Sequence, residues 1–152
     1  MPAAPRSKKP PPLSIEQQIG LWLRLAVQRH AENFYRCFGT SLTQRQFSAL
    51  VHLHLAGPCS QNSLGRAIGL DAASIVGVVR RLESQDLISI RKSDHDRRMV
   101  IIDTTAAGQR ILRRTAELGR RANEKTLMPL SRPERKTLMR LLERVATFSA
   151  DE

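Results

Sequence analysis

The chain has 152 residues, the size of one domain, and a formal charge of +11 from 25 Lys and Arg against 14 Asp and Glu. That excess favours an anionic partner, nucleic acid before an anionic membrane surface. No apolar run approaches the ~20 residues a bilayer span needs and the N-terminus has no apolar signal core, so a cytoplasmic protein without membrane contact is expected.

Residues 1–12 read MPAAPRSKKPPP. Proline and basic residues with almost nothing apolar predict an extended or disordered arm. Arg6, Lys8 and Lys9 would add at most a phosphate contact, and a solvated tail is the simpler reading. Ser14 and Gln17 have capping-box spacing and open a first long helix, which Gly39 stops after Phe38. Ile15, Ile19, Trp22, Leu23, Ala26, Val27, Phe34 and Phe38 give it an apolar stripe wider than a small domain needs. Such a stripe points to a partner chain. A second helix over 42–55, capped by Thr43, ends at Gly57-Pro58.

Most of the information lies between Ser60 and Thr105: SQNSLGRAIGLDAASIVGVVRRLESQDLISIRKSDHDRRMVIIDTT. Ser60 caps a short helix in which Leu64, Ala67 and Ile68 share a face. Gly69 supplies the turn, and Asp71 caps a longer helix with the stripe Ile75, Val78, Val79 and Leu82. Its other face is Ala72, Ala73, Ser74, Val76, Gly77, Arg80 and Arg81, with no acid among them. Small residues let a helix enter a major groove, and arginines reach phosphates or guanine edges. Residues 87–92 alternate, residues 99–102 are apolar, and both read as strands. The polar SDHDRR between them places Arg97 and Arg98 near a hairpin tip, where arginine suits a narrow minor groove. Asp94 and Asp96 are placed to hold them. Helix, turn, helix and hairpin in this order describe a winged helix-turn-helix.

Thr105 caps a fifth helix that Pro129 closes, with Ile111, Leu112, Ala116, Leu118, Ala122 and Leu127 as its apolar members. Arg110, Arg113, Arg114, Arg120, Arg121 and Lys125 crowd the same helix as a solvated face. Ser131 and Glu134 open a last helix, with Pro133 in its first turn. Leu138, Leu141, Leu142, Val145 and Phe148 form one apolar face that must be covered, most naturally by a symmetric copy. The fold class is mainly α: about six helices and a two-stranded β-wing.

Other chemistry is thinly represented. Cys37 and Cys59 form no CxxC pair and read as reduced thiols, with a redox-sensing role as the alternative. His52 and His54 are two apart and point to different sides of a helix, so a metal site with Cys59 is weakly supported. Glu32 and Glu83 are isolated, no nucleophile–base pair stands out, and no enzyme or cofactor is expected.

The chain resembles the multiple-antibiotic-resistance regulators, the MarR-type winged-helix family. LTQRQFSALVHL, SQNSLGRAIGLDAASIVGVVRRLESQDLI and DRRMVIIDTTAAGQRIL carry the resemblance, over about residues 14–148. Thr104-Thr105 departs from the Leu-Thr often found at that strand end and is read as tolerated. The resemblance implies a homodimeric repressor on a palindromic double-stranded DNA operator, usually released by a small ligand. Residues 13–40 and 105–148 would form the dimerisation region, and residues 41–104 the DNA-binding domain. Ser60, Gln61 and Asn62 would bind phosphates. Ser74, Gly77 and Arg80, flanked by Ala73 and Arg81, would lie near the bases.

Arg24 stands between Leu23 and Leu25, with Gln28, Arg29 and His30 close by. An inward arginine needs an anion, and its planar fork suits a carboxylate; an ordinary dimer salt bridge is the plain alternative. The stretch QQIGLWLRLAVQRH is similar to the first helix of the family branch that responds to aromatic acids, including repressors of nicotinate and protocatechuate breakdown. That similarity implies that Arg24 and His30, with Gln28 beside them, hold an aromatic carboxylate such as a hydroxynicotinate or hydroxybenzoate. A charge-driven, non-specific architectural or RNA-binding protein is the rival reading.

Overall fold

Side chains set where most helices begin. In the computed structural model, which describes residues 18–39, 41–93 and 99–148, four helices start at a residue whose side-chain oxygen accepts from an amide one turn in. Thr43 caps α2 (Gln44–Ala56), Ser60 caps α3 (Gln61–Ala67), Asp71 caps α4 (Ala72–Ser84) and Thr105 caps α5 (Ala106–Leu127). At α6 (Arg132–Thr147) the Glu134 carboxylate accepts from the Ser131 amide and hydroxyl at 2.8 and 2.6 Å. The first helix, α1, is described from Ile19 to Phe38, and the expected Ser14–Gln17 cap lies outside the described residues.

The end of α4 is a Schellman motif built without glycine. The amide of Leu87 donates to the Leu82 carbonyl and that of Asp86 to Glu83, both at 2.9 Å, with Asp86 at φ +57°. Leu82 and Leu87 are both buried beside this turn.

The sheet has one strand more than expected. Strands β2 (Ile88–Lys92) and β3 (Val100–Thr104) form the wing, and β1 (Cys59–Ser60) pairs with the other edge of β3. All pairs are antiparallel, and Ile102 lies between Ile90 and Cys59, fully buried. Two residues after Gly57-Pro58 show no alternation, which is why β1 is silent in the sequence.

The core joins α1, α2, α4 and α5 to the sheet. Phe34, Phe38 and Phe47 stack where α1 meets α2, and Leu50, Leu53, Leu64, Ile75 and Leu82 are fully buried beneath them. Two expected helix faces are rotated: Ala67 and Ala116 are exposed, and Gly65, Thr115 and Gly119 are buried instead. The reason is close approach. A Cβ on Gly108 would lie 2.0 Å from the Leu87 carbonyl oxygen, and one on Gly119 would lie 2.7 Å from the Phe47 ring. Both glycines let α5 press against the rest of the domain.

Gly108→Ala is therefore expected to cost roughly 3 kcal/mol of stability, since the contact is with backbone that cannot step aside. Gly20→Ala, with nothing within 4 Å of its new Cβ, should be neutral or gain up to about 1 kcal/mol. Urea unfolding of the two variants checks this.

Candidate nucleic-acid interface and adjoining cavity

The turn between α3 and α4 is held from both sides. Gly69 adopts φ +69°, and the Leu70 amide donates to the Gly65 carbonyl at 2.8 Å. Gly65 packs so tightly that a Cβ there would meet the Leu70 oxygen at 3.2 Å and Ile75 at 3.4 Å. With Ile75, Val78, Val79 and Leu82 buried, α4 has one orientation, and its opposite face meets solvent. Ala72, Ala73, Val76, Arg80 and Arg81 are exposed there, and Ser74 and Gly77 are half-buried.

Asp71 anchors this face. Its carboxylate accepts from the Ser74 amide at 2.7 Å. That bond and one from the Ser74 hydroxyl hold the carboxyl below the usual carboxylate range, and the Arg45 charge adds to the effect. Ser74 is therefore tied to Asp71 through its backbone amide in the free protein. Ser60 is similarly engaged, accepting from the Ser63 amide and donating to the Ser63 hydroxyl, whereas Gln61 is half-buried and Asn62 exposed. Arg45, at the start of α2, was not singled out from sequence. It lines a polar hollow with Thr43, Ser74 and Arg81, at the flank of α4. Its signal is its helical position beside the cap Thr43, but its neighbour Arg81 lies 36 residues on. Arg97 and Arg98, with Asp94 and Asp96, lie outside the described residues.

A second feature lies behind the interface. A cavity of about 500 Å³ opens between α1, α2, α3 and α5, lined among others by His30, Phe34, Ser48, Val51, His52 and Asn123. An apolar cavity of about 480 Å³ adjoins it, floored by Leu23, Val27, Leu127, Leu138 and Leu142, and His30, Gln44 and Asn123 line both. Both have the size of small-molecule sites. Among the described residues neither lining holds a Lys or Arg.

Arg24, expected to face inward, is exposed in the single chain, as are its neighbours Leu23 and Leu25. At 100° per residue Leu23, Ala26, Val27 and His30 share a stripe, and Arg24 falls about 120° from His30. Gln28 is exposed too, donating to Glu32 at 3.4 Å. His30 alone of the three reaches the cavities. Burial pushes its imidazole below its ordinary value of 6.5, so it is neutral at pH 7. Its Nδ1 lies 3.0 Å from the Thr126 hydroxyl, which Asn33 also meets at 3.2 Å. Thr126, Asn33 and Asn123 were invisible in the sequence, because polar residues on basic helices carry no mark of what they face.

Cys37 and Cys59 are free and half-buried, and burial pushes the Cys59 thiol up, opposite to what a reactive thiolate requires. His52 lines the larger cavity and His54 is exposed, and no group of three metal-binding side chains occurs among the described residues. No described helix is long and apolar enough to cross a membrane.

A model of the MarR family matches residues 42–100. The HTH-type transcriptional repressor NicR of Pseudomonas putida is 33% identical over 135 residues, 88% of this chain and 85% of NicR. The chain belongs to the MarR family. It is thus a DNA-binding transcriptional regulator with a winged helix-turn-helix, not an enzyme. Two solved structures place other members beside it. A probable transcriptional regulator from Pseudomonas aeruginosa superposes with a TM-score of 0.80 at 41% identity, over 87% of this chain and 99% of that one. BpsR of Bordetella bronchiseptica, whose DNA binding is regulated by 6-hydroxynicotinic acid, superposes with a TM-score of 0.84 at 28% identity, over 91% and 100%.

The neutral His30 has a measurable consequence in this MarR-family protein. As pH falls through 6.5 the unfolded chain takes up a proton that the folded chain resists, so stability drops until the lower folded value is passed. His30→Gln should remove that share of the decline between about pH 7.5 and 5.5, measured as the change in denaturation midpoint.

Proposed function

We propose that the protein is a homodimeric repressor of a palindromic operator that lets go when a small aromatic carboxylate fills the cavity beside His30. The observation that carries this reading is the cavity's position. Two of its walls, α2 and α3, belong to the DNA-binding half, and the other two, α1 and α5, to the helical half. A ligand there acts on the angle between the halves, and hence on the spacing of two recognition helices in a dimer. The repressor NicR and the hydroxynicotinate-regulated BpsR support both the repressor and the aromatic acid. As a regulator of transcription the protein acts in the cytoplasm.

On this reading α4 enters the major groove. Ala73 and Gly77 allow close approach, the Ser74 hydroxyl meets a base, and Arg80 and Arg81 reach base edges and phosphates. Ser60, Gln61 and Asn62 meet the backbone, and Arg97 and Arg98 enter the minor groove. The carboxylate needs a cation, and none lines the cavity among the described residues. Arg24 is the residue assigned to it, brought in when a second copy covers α1, with Gln28 flanking it.

Dimerisation is supported by what α6 lacks. The helix buries no residue, and Met139, Leu141, Leu142, Val145 and Phe148 are all exposed, as are Ile19, Trp22 and Val27 on α1. Sixteen residues do not hold a helix in water without packing, and each apolar side chain covered would contribute about 1.5–3 kcal/mol. Val145→Asp is expected to convert the dimer to monomer in analytical ultracentrifugation and to weaken operator binding with it. A dimer undisturbed by this variant would move the interface elsewhere.

The deciding experiment is fluorescence anisotropy on duplex DNA from upstream of the protein's own gene, against a scrambled duplex at equal salt, with and without aromatic carboxylates. Wild type should prefer the operator, and one acid should abolish the preference. Arg80→Ala should lose on the order of 1–3 kcal/mol of operator affinity, whereas Arg24→Ala should bind normally and ignore the acid. Equal binding to both duplexes would instead mark a charge-driven binder, with a slope of about −0.9 per phosphate in log salt.

A further inference from the structure

His30 meets both cavities, and the partners of its ring decide what it offers them. Thr126 stands on α5 with three polar neighbours around its hydroxyl oxygen: the Ala122 carbonyl at 2.8 Å, Asn33 Nδ2 at 3.2 Å and His30 Nδ1 at 3.0 Å. A hydroxyl has one proton and two lone pairs. The Ala122 carbonyl can only accept, so the proton goes there, the back-bond a threonine makes to the preceding turn of its own helix. The buried Asn33 amide nitrogen can only donate and takes one lone pair. Turned over, the Asn33 side chain would set two acceptors against a single hydroxyl proton. One lone pair is left, and His30 Nδ1 can meet it only by donating. Nδ1 therefore carries the ring proton, and in a neutral imidazole Nε2 is then a bare acceptor. Nε2 has no hydrogen-bond partner among the described residues.

We infer that Thr126 and Asn33 lock His30 in its Nδ1–H form, so that Nε2 acts as an acceptor toward the cavity and selects ligands that bring a donor, a ring hydroxyl or a lactam N–H, over parent acids without one. The inference rests on the effector site proposed above and states what that site recognises. Thr126 is a positioning residue: it works through His30. The lock has a consequence for orientation. A carboxylate oxygen is itself an acceptor, so it is repelled by Nε2 and must lie at the far end of the ligand. The free histidine side chain prefers the Nε2–H form, in which the cavity would be offered a donor and the preference for donor-bearing ligands would be lost. A site built to pair one substituent discriminates against the analogue lacking it far more strongly than apolar contacts do, because the buried partner is left unpaired.

The test has two readouts on the full-length protein. Long-range proton–nitrogen NMR of the ligand-free, nitrogen-15-labelled protein at about pH 7.5 reports the tautomer, with His30→Gln identifying the signal. Wild type and Thr126→Ser should show Nδ1–H, and Thr126→Val should move to Nε2–H. Thr126→Ala serves if valine unfolds the α1–α5 seam. Nε2–H in wild type, or Nδ1–H surviving loss of the hydroxyl, overturns the lock. In the second readout, operator release is titrated with 4-hydroxybenzoate and 6-hydroxynicotinate against benzoate and nicotinate. The hydroxylated acids should act at concentrations at least about tenfold lower, and Thr126→Val should bring that ratio toward one while leaving the parents unchanged. Equal potency in wild type overturns the donor requirement. Silence of all four acids with Nδ1–H intact overturns the effector reading and the donor requirement with it, separately from the lock.

Discussion

The rest of this fold depends on α5 being able to come close to the elements around the α4 turn and α2. Two positions without side chains permit it: Gly108, against the Leu87 backbone, and Gly119, against the Phe47 ring. Thr105 secures the near end, donating from its amide to the Leu87 carbonyl at 3.1 Å and from its hydroxyl to that of Asp86 at 2.5 Å, while its oxygen caps α5. The turn that ends α4 and the turn that begins α5 are thus one hydrogen-bonded unit. A shift of α5 cannot leave α4 where it was, because Asp86 and Leu87 belong to both.

This constraint explains why the cavity sits where it does. Gly119 brings α5 close to α2 at Phe47, and both residues line the cavity, which opens beside that contact. The gap is lined by aromatic and aliphatic carbons with a few polar atoms, and a hydrogen-bonded seam of His30, Asn33 and Thr126 closes one side. A polar seam in an otherwise apolar contact fixes register between α1 and α5, because each buried polar group must find its partner.

Which parts were legible in the sequence follows from how local their causes are. The caps Thr43, Ser60, Asp71, Thr105 and Ser131 were readable because a cap and its amide lie three residues apart. The exposed face of α4 was readable because its apolar stripe and its small and basic face both repeat with the helix. What escaped needs a distant partner to have meaning. The two residues of β1 are a strand only beside β3. Gly65 and Gly119 look like helix-weakening residues until Ile75 and Phe47 arrive. Thr126 looks like any polar residue on a basic helix until His30 and Asn33 face it from α1. Arg24 is a different case: the stripe of α1 is broad enough that its phase is ambiguous, and the arginine and its flanking leucines are all exposed in the single chain.

The exposure of Arg24 bears on how release would work. A ligand shifts an equilibrium only by its difference in affinity between two states. A cavity complete in one chain would couple to operator spacing only through the angle between its two halves. In the proposed site the hydrogen-bond acceptor, His30, lies within the chain, whereas the cation, Arg24, would reach it only when a second copy covers α1. The affinity of such a site would depend on how the copies sit, as would the operator's. Ligand and DNA become competitors for one geometry without touching a common atom, which is the form of coupling that the proposed repressor requires.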